Sequence, residues 1–419
     1  MAARQGAGLA PQSQSCTWEA GEAMARKTDT IGARIRYWRM RRSGMSQAVL
    51  AGLAGVSQSY ISQVESGRKT IDRRSTLVAV AAALQVTVAD LLGQGTEPGD
   101  PARERAAECV PAIWSALIEI EDGERRPLTR TRDELAADIA RGEQLRIRSN
   151  YPAMARLLPG LLLEAAAVEG TVLVQVAYQA STCLRHLGYR HLALNAARVA
   201  VAAAEDVEEP AWLGASRFAY AQSLPIESAP LAARAADRSL AELQAAAADE
   251  RVRQMLGQLH LAAALTSTVS GRPDLARDHL SEAAREAATL GDPPDGDGFN
   301  GCGFGPTNVK LWEMSIAAEL GEPGRVIELS RTVRPQVLAA SNRQMSYWVD
   351  LGRALAESGR RDAEALAAFV RAEQAAPVPF ALNPLVQDAV VAMAQRAKRR
   401  AVPNELRLLA GRLGISLAP

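Results

Sequence analysis

Apolar side chains recur along this chain at the spacing that places them on one face of an α-helix. Ile31, Ile35 and Trp38 share a face of a helix expected over Thr30 to Arg42, with Arg34, Arg36, Arg41 and Arg42 outward. Leu77, Val80, Ala81 and Leu84 share a face of a later helix that Ser75 can cap, and Val86 to Leu92 is a short further one. Between these lie two short helices around a tight turn. Ser46 and Ser57 are their expected N-caps, because a serine oxygen accepts from the free amides of a first turn. Gly55 ends the first of them, where the chain needs a residue tolerant of positive φ. Ala51 lets the two axes approach, and Leu50, Val56, Ile61 and Val64 form the apolar seam. Five helices over residues 28–92 therefore close a small domain.

Residues 1–27 carry no sustained periodicity and read as a disordered tail. Met24 stands just ahead of the first helix, so a mis-assigned upstream start codon is an open alternative that an N-terminal peptide of the native protein would decide. Residues 93–103, GQGTEPGDPAR, have no apolar side chain larger than alanine and read as a linker. From residue 104 to 419, helix follows helix. Gly188, Gly271 and Gly321 each end an apolar segment, with Ala193, Ala276 or Val326 five residues on, and Gly359 with Ala363 and Ala365 is a looser copy. A further copy over Ala219 to Leu243 lacks its glycine. Glycine at a turn followed by small residues where helices cross is the signature of stacked helical hairpins, with an irregular helical bundle as the alternative. One irregular insertion, Gly291 to Val309, interrupts the series. Within it, Pro306 is expected to start a helix with Asn308, Trp312 and Glu313 on its exposed or groove side.

The second helix of the early pair turns Gln58, Ser59, Ser62 and Gln63 outward on one face. These are polar side chains of the kind that hydrogen-bond base edges. Together with Ala51, Gly55, Val56, Ile61 and Val64 in register, and with the ending Glu65-Ser66-Gly67-Arg68, the stretch resembles the phage repressor/Cro-type (XRE) helix-turn-helix. That resemblance implies a lambda-repressor-like five-helix fold, an ion pair between Arg39 and Glu65, and a phosphate contact by Gln47. Arg42, Arg68, Lys69, Arg73 and Arg74 are candidate phosphate contacts, and Tyr60 either reaches phosphate or packs. The region from residue 104 resembles tetratricopeptide-like repeats, so the order of domains is similar to bacterial regulators in which a repeat domain receives a signal.

Composition supports an all-α chain: of 419 residues only 4% are aromatic, and alanine runs are frequent. The net charge of +1 conceals an asymmetry. Residues 25–92 hold eleven Lys and Arg against four Asp and Glu, a net of +7, which leaves −6 elsewhere. A basic first domain neutralises phosphates, and an acidic remainder is kept off DNA. Cys16, Cys109, Cys183 and Cys302 lie far apart without metal-type spacing, so reduced thiols in the cytoplasm are expected. The longest apolar runs, such as Leu157 to Val168, are too short to cross a bilayer.

No catalytic or cofactor motif is present. The four histidines, His186, His191, His260 and His279, have poor metal spacing, and the Gly-rich insertion lacks a following Gly-Lys-Ser/Thr. Asp292, Asp295 and Asp297 lack the glutamate of a calcium loop and read as solvated acids. Tyr178, Phe218, Tyr220, Asn308 and Trp312 are candidates for a ligand groove on the repeats, against core packing as the simpler role. The expectation is a dimeric, sequence-specific transcription regulator without enzymatic activity, cofactor, metal or membrane contact. It reads a pseudo-palindromic operator in double-stranded DNA, under control of a signalling peptide or small molecule. The alternative is an adaptor or antitoxin-like protein whose repeats bind a partner protein and whose DNA binding is autoregulatory.

Overall fold

A computed structural model describes residues 30–42, 45–93, 106–168, 170–397 and 402–415. The expected tail lies outside the described residues, as does the expected linker except for Gly93. Every regular element among the described residues is helical. The first five are α1 (Ile31–Arg41), α2 (Gln47–Ala54), α3 (Gln58–Glu65), α4 (Arg74–Leu84) and α5 (Val88–Leu92). They enclose one core containing Ile31, Ile35, Leu50, Ile61, Leu77, Leu84 and Leu91.

The local chemistry of these helices follows the sequence closely. Thr30, Ser46 and Ser57 cap α1, α2 and α3 through their side-chain oxygens, and Gly55 ends α2 at φ 67°. Gly32 serves a different purpose, because a Cβ there would stand 1.9 Å from the Val64 carbonyl oxygen. Its missing side chain lets α1 and α3 touch backbone to backbone. Two expectations change. Arg34 turns back to donate to the Leu91 and Leu92 carbonyls at the end of α5 instead of pointing outward. Ser75 lies inside α4, whose N-cap is Arg73, and its amide donates to Glu319, far along the chain.

The second region begins with α6 (Val110–Glu121), α7 (Arg132–Ile147) and α8 (Tyr151–Ala165). Hairpins follow: α9 (Val172–His186) with α10 (Arg190–Val207), α11 (Pro210–Ser223) with α12 (Ala229–Leu243), and α13 (Glu250–Val269) with α14 (Pro273–Leu290). Then come α15 (Pro306–Leu320) with α16 (Pro323–Ser330) and α17 (Ser341–Glu357) with α18 (Asp362–Ala375). The short α19 (Pro377–Ala381), α20 (Pro384–Ala397) and α21 (Asn404–Arg412) complete it.

Gly188, Gly271, Gly321 and Gly359 stand at the four glycine turns with φ between 67° and 93°. Ala193, Ala276, Val326 and Ala365 are buried where the helices of each pair cross, whereas Ala363 is exposed. The copy without a glycine is α11 and α12, which turn at Leu224-Pro225 and a single 3-10 turn. Each hairpin's first helix packs on the next, from α7 through α9, α11, α13 and α15 to α17. That row curves: Asn342 at the start of α17 comes within 3.5 Å of His186 at the end of α9. These first helices thus form the inner wall of the stack.

The insertion between α14 and α15 is built, not loose. Asp292 accepts from the Thr307 amide and hydroxyl, which caps α15, and Asp295 accepts from the amides of Asp297 and Gly298. Asp292 is therefore a helix cap rather than a solvated acid. Phe304 is buried and its ring lies against Gly257, in the middle of α13, where a Cβ would meet Phe304 Cζ at 1.9 Å. Among the described residues no helix is long and apolar enough to cross a membrane, and no cluster of His, Cys, Asp or Glu is arranged to hold a metal.

Gly257→Ala gains helix propensity of at most about 1 kcal/mol. It overpacks the Phe304 contact, so a net loss of about 1 to 3 kcal/mol is expected in denaturant unfolding.

Candidate nucleic-acid interface

The exposed polar face of α3 is backed by a polar knot. Arg39 on α1 makes two hydrogen bonds to Glu65 at the end of α3, at 2.6 and 2.8 Å, with side-chain exposures of 9% and 3%. The third direction of the guanidinium donates to the Met45 carbonyl at 2.7 Å. Gln47 at the start of α2 donates to Glu65 Oε2 at 2.8 Å. Glu65 thus ties the two flanking helices to the end of α3, and hydrogen bonding to the carboxylate holds the Arg39 pKa above its usual value.

In front of the knot, Gln58, Ser59, Ser62 and Gln63 are all exposed. Gln63 donates to Ser59 Oγ one turn back at 3.0 Å, which orders both side chains. Ala51, Ile61 and Val64 are buried, Val56 is half-buried, and Gly55 makes the turn. Tyr60 is half-buried with Lys69 over its ring at 5.2 Å, so it packs, and Lys69 stands beside the end of α3. Burial raises the Tyr60 pKa well above its usual value.

The candidate phosphate contacts divide into two groups. Arg68 is exposed, and no ion pair to it occurs among the described residues. Gln47 is half-buried in the knot, and Arg42 donates to the side chain and carbonyl of Gln85. Arg73 and Arg74 turn toward the repeats. Arg73 lies over Gly321, where a Cβ would meet its guanidinium at 2.5 Å, and Arg74 pairs with Glu319 at 3.5 Å. Arg73 and Arg74 are thus not outward phosphate contacts, because Glu319 offers a carboxylate to Arg74 and the missing side chain of Gly321 leaves room for Arg73 on that side.

Residues 30–92 match a family model described as a helix-turn-helix domain. This segment is a helix-turn-helix domain. No curated protein is similar enough to match the chain. Among solved structures, the chain is similar to the Bacillus thuringiensis protein PlcR, crystallised in complex with the peptide PapR7 and DNA. The identity is 14%, the coverage is 83% of this chain and 94% of that one, and the TM-score is 0.31.

The helix-turn-helix domain rests against the repeats through contacts that no local motif announces. Three carboxylates of the repeat region take its backbone amides: Asp388 that of Ile31, Glu319 that of Ser75, and Glu227 that of Val88. Each amide lies in the first turn of a helix, where N–H groups lack intrahelical acceptors and the helix dipole favours an anion. Arg353 returns the contact by donating to the Asp72 carbonyl at 2.5 Å. Beside these contacts a cleft of about 540 Å³ opens between the helix-turn-helix domain and the repeats. Gln63, Arg68 and Lys69 line one side, and Arg353 and Arg396 the other.

The proposed groove residues do not line a common open surface. Tyr178, Asn308 and Trp312 are buried, while Phe218 and Tyr220 are half-buried, Phe218 in one apolar cluster with Trp312 and Tyr220 in another with Tyr178. Large rings go where they remove the most apolar area from water. Asn308 is occupied at both ends, donating to the Cys302 carbonyl and accepting from Arg343. Glu313 is partly exposed and pairs with Arg325.

Removing either Arg39 or Glu65 by substitution to Ala strands a buried charge, so each should lose about 3 to 5 kcal/mol in equilibrium unfolding. The double substitution should cost less than the sum. A second expectation concerns Asp388, whose carboxyl burial pushes up to about 6 from the ordinary 3.8. The folded state holds this proton more tightly than the unfolded chain does. The stabilisation is therefore complete below about pH 4 and lost as pH rises through about 6. Asp388→Asn keeps the acceptor for Ile31 and should raise stability above pH 6 by on the order of 3 kcal/mol, with no gain below pH 4. Melting curves of both proteins across pH 4 to 8 test this.

Proposed function

We propose that the chain is a sequence-specific DNA-binding transcription regulator that acts as a dimer and is controlled by a ligand received on its helical repeats. The observation that carries this reading is the exposed polar face of α3, held from behind by the Arg39–Glu65–Gln47 knot. In this reading α3 enters the major groove. Gln58, Ser59, Ser62 and Gln63 meet base edges, with glutamine bidentate to adenine as the principal contact. Arg68 and Lys69 neutralise phosphates, and Gln47 stands at the start of α2, where the dipole attracts one. One such domain covers few base pairs. Two copies on half-sites about 10 bp apart, related by the dyad of a pseudo-palindromic operator, supply the affinity.

The contacts of Glu227, Glu319 and Asp388 with the helix-turn-helix domain give the repeats a means of control. The domain's position on the stack is set by carboxylates on the α11–α12 turn, α15 and α20. A signalling peptide or small molecule that reshapes the inner wall also changes the spacing of the two reading helices in the dimer. The chain has no catalytic role in this reading, and it works in the cytoplasm, where the DNA is.

Gln63→Ala should weaken binding to the operator by about 1 to 3 kcal/mol and leave random DNA unaffected. Arg68→Ala should weaken both and reduce the slope of affinity against salt by about 1. Titrations of both variants at several salt concentrations distinguish the roles. Equal losses on operator and random DNA for Gln63→Ala would remove it from the base-reading set.

A further inference from the structure

Inside the curve of the repeats, four arginines from separate helices surround one histidine. Arg146 comes from the end of α7, Arg185 and His186 from the end of α9, Arg190 from the start of α10 and Arg343 from the start of α17. The His186 ring lies flat on Tyr151 at 4.6 Å, and its Nε2 accepts from Arg185 Nη2 at 3.1 Å. Arg343 places Nε and Nη2 on Asn308 Oδ1, at 3.1 and 2.6 Å, with its guanidinium over Trp312 at 4.9 Å. Arg190 donates to the Gln222 and Leu224 carbonyls. Tyr178, Asn308 and Trp312 therefore do their work one layer back, by positioning Arg146 and Arg343.

The carboxylates do not balance this charge. Among the described residues Arg146 pairs with Glu143, but Arg185, Arg190 and Arg343 form no ion pair. The nearest acids are engaged elsewhere: Glu227 holds the Val88 amide, and Asp350 accepts from Ser315 and faces Arg353. Burial and mutual repulsion pull the Arg185 pKa down, and burial, countered in part by Asp350, brings that of Arg343 to about 10. Burial and all four arginines hold His186 well below its usual value, hence neutral. Yet Arg185, His186, Arg190, Asn342 and Arg343 all remain partly exposed. A concentration of cation that is open to solvent and unmatched by acid is suited to an anion, and the planar guanidinium fork matches two oxygens of a carboxylate or phosphate.

We propose that Arg185, Arg190 and Arg343, gathered around His186 with Arg146 beside them, bind the oxyanion of a small ligand, its carboxylate or its phosphate. This rests on the reading of the repeats as the ligand-receiving part and names the chemistry they receive. The site also touches the route to the DNA-binding helices, because Arg190 feels the charge of Arg74, which pairs with Glu319. An anion there screens Arg74 from the cluster and so acts on one of the contacts that hold the helix-turn-helix domain.

The test uses the full chain with pyrophosphate and citrate as separate probes, each against sodium chloride of equal ionic strength. One of them should raise the melting temperature by several degrees and shift the His186 ring resonances, and which one does so identifies the group as phosphate or carboxylate. Arg185→Gln and Arg343→Gln should each abolish that rise, and Arg185→Gln should melt, without anion, at or above the wild-type temperature, since repulsion has been relieved. If Arg343→Gln fails to fold, Arg185→Gln carries the test, because among the described residues the Arg185 side chain hydrogen-bonds to His186 alone. Arg68→Ala should keep the rise, which separates the inner site from the DNA-binding face. Absence of any rise with both probes, or a rise that survives Arg185→Gln, overturns the proposal. Operator binding by the anion-free wild type is measured alongside. Its loss would overturn the regulator reading, whereas its retention without an anion response would overturn this site alone.

Discussion

Glu65 is the residue on which the placement of α3 depends. Its two carboxylate oxygens, almost fully removed from water, take Arg39 from α1 and Gln47 from α2 while its own backbone closes α3. A carboxylate buried in this way is tolerated only with its charge matched and its lone pairs filled, and both conditions hold here. The consequence is geometric. The end of α3 is fixed with respect to α1 and α2, so the outward set from Gln58 to Gln63 is presented on a rigid support rather than on a lone two-turn helix, which would not be stable in isolation.

The same chemistry recurs at the join with the repeats. Three carboxylates from the second region meet first-turn amides of α1, α4 and α5. Ile226 and Leu385 add apolar contact with the core of the helix-turn-helix domain. The join is thus made of a few directional bonds around a small apolar area. One of its members, Asp388, is ionised there at a cost in solvation, since burial opposes its charge more strongly than the Ile31 amide supports it.

Within the repeats, acids and bases are distributed to opposite effect. The wall facing the helix-turn-helix domain offers carboxylates to amides, while the inner curve gathers guanidinium groups from α7, α9, α10 and α17. Both arrangements leave one sign of charge seeking a partner from elsewhere. At the join the partner is the domain itself, and in the inner curve it is the anion proposed above.

What the sequence by itself determined is the local order: caps at Ser46 and Ser57, the left-handed turn at Gly55, the glycine turns at residues 188, 271, 321 and 359, and the outward set on α3. These depend on neighbours within a few residues, which is why spacing and residue type sufficed. The Arg39–Glu65 pair was legible only through resemblance, since its members stand 26 residues apart. Tertiary structure alone decided the rest. Ser75 meets Glu319 across 244 residues and Ile31 meets Asp388 across 357, distances over which no pattern signals a contact. The aromatic residues expected to line a groove went into the core instead, where burying their rings releases the most water-exposed apolar surface. Arg146, Arg185, Arg190 and Arg343, which no motif singles out, come together only because the stack curves and brings α17 back to α9.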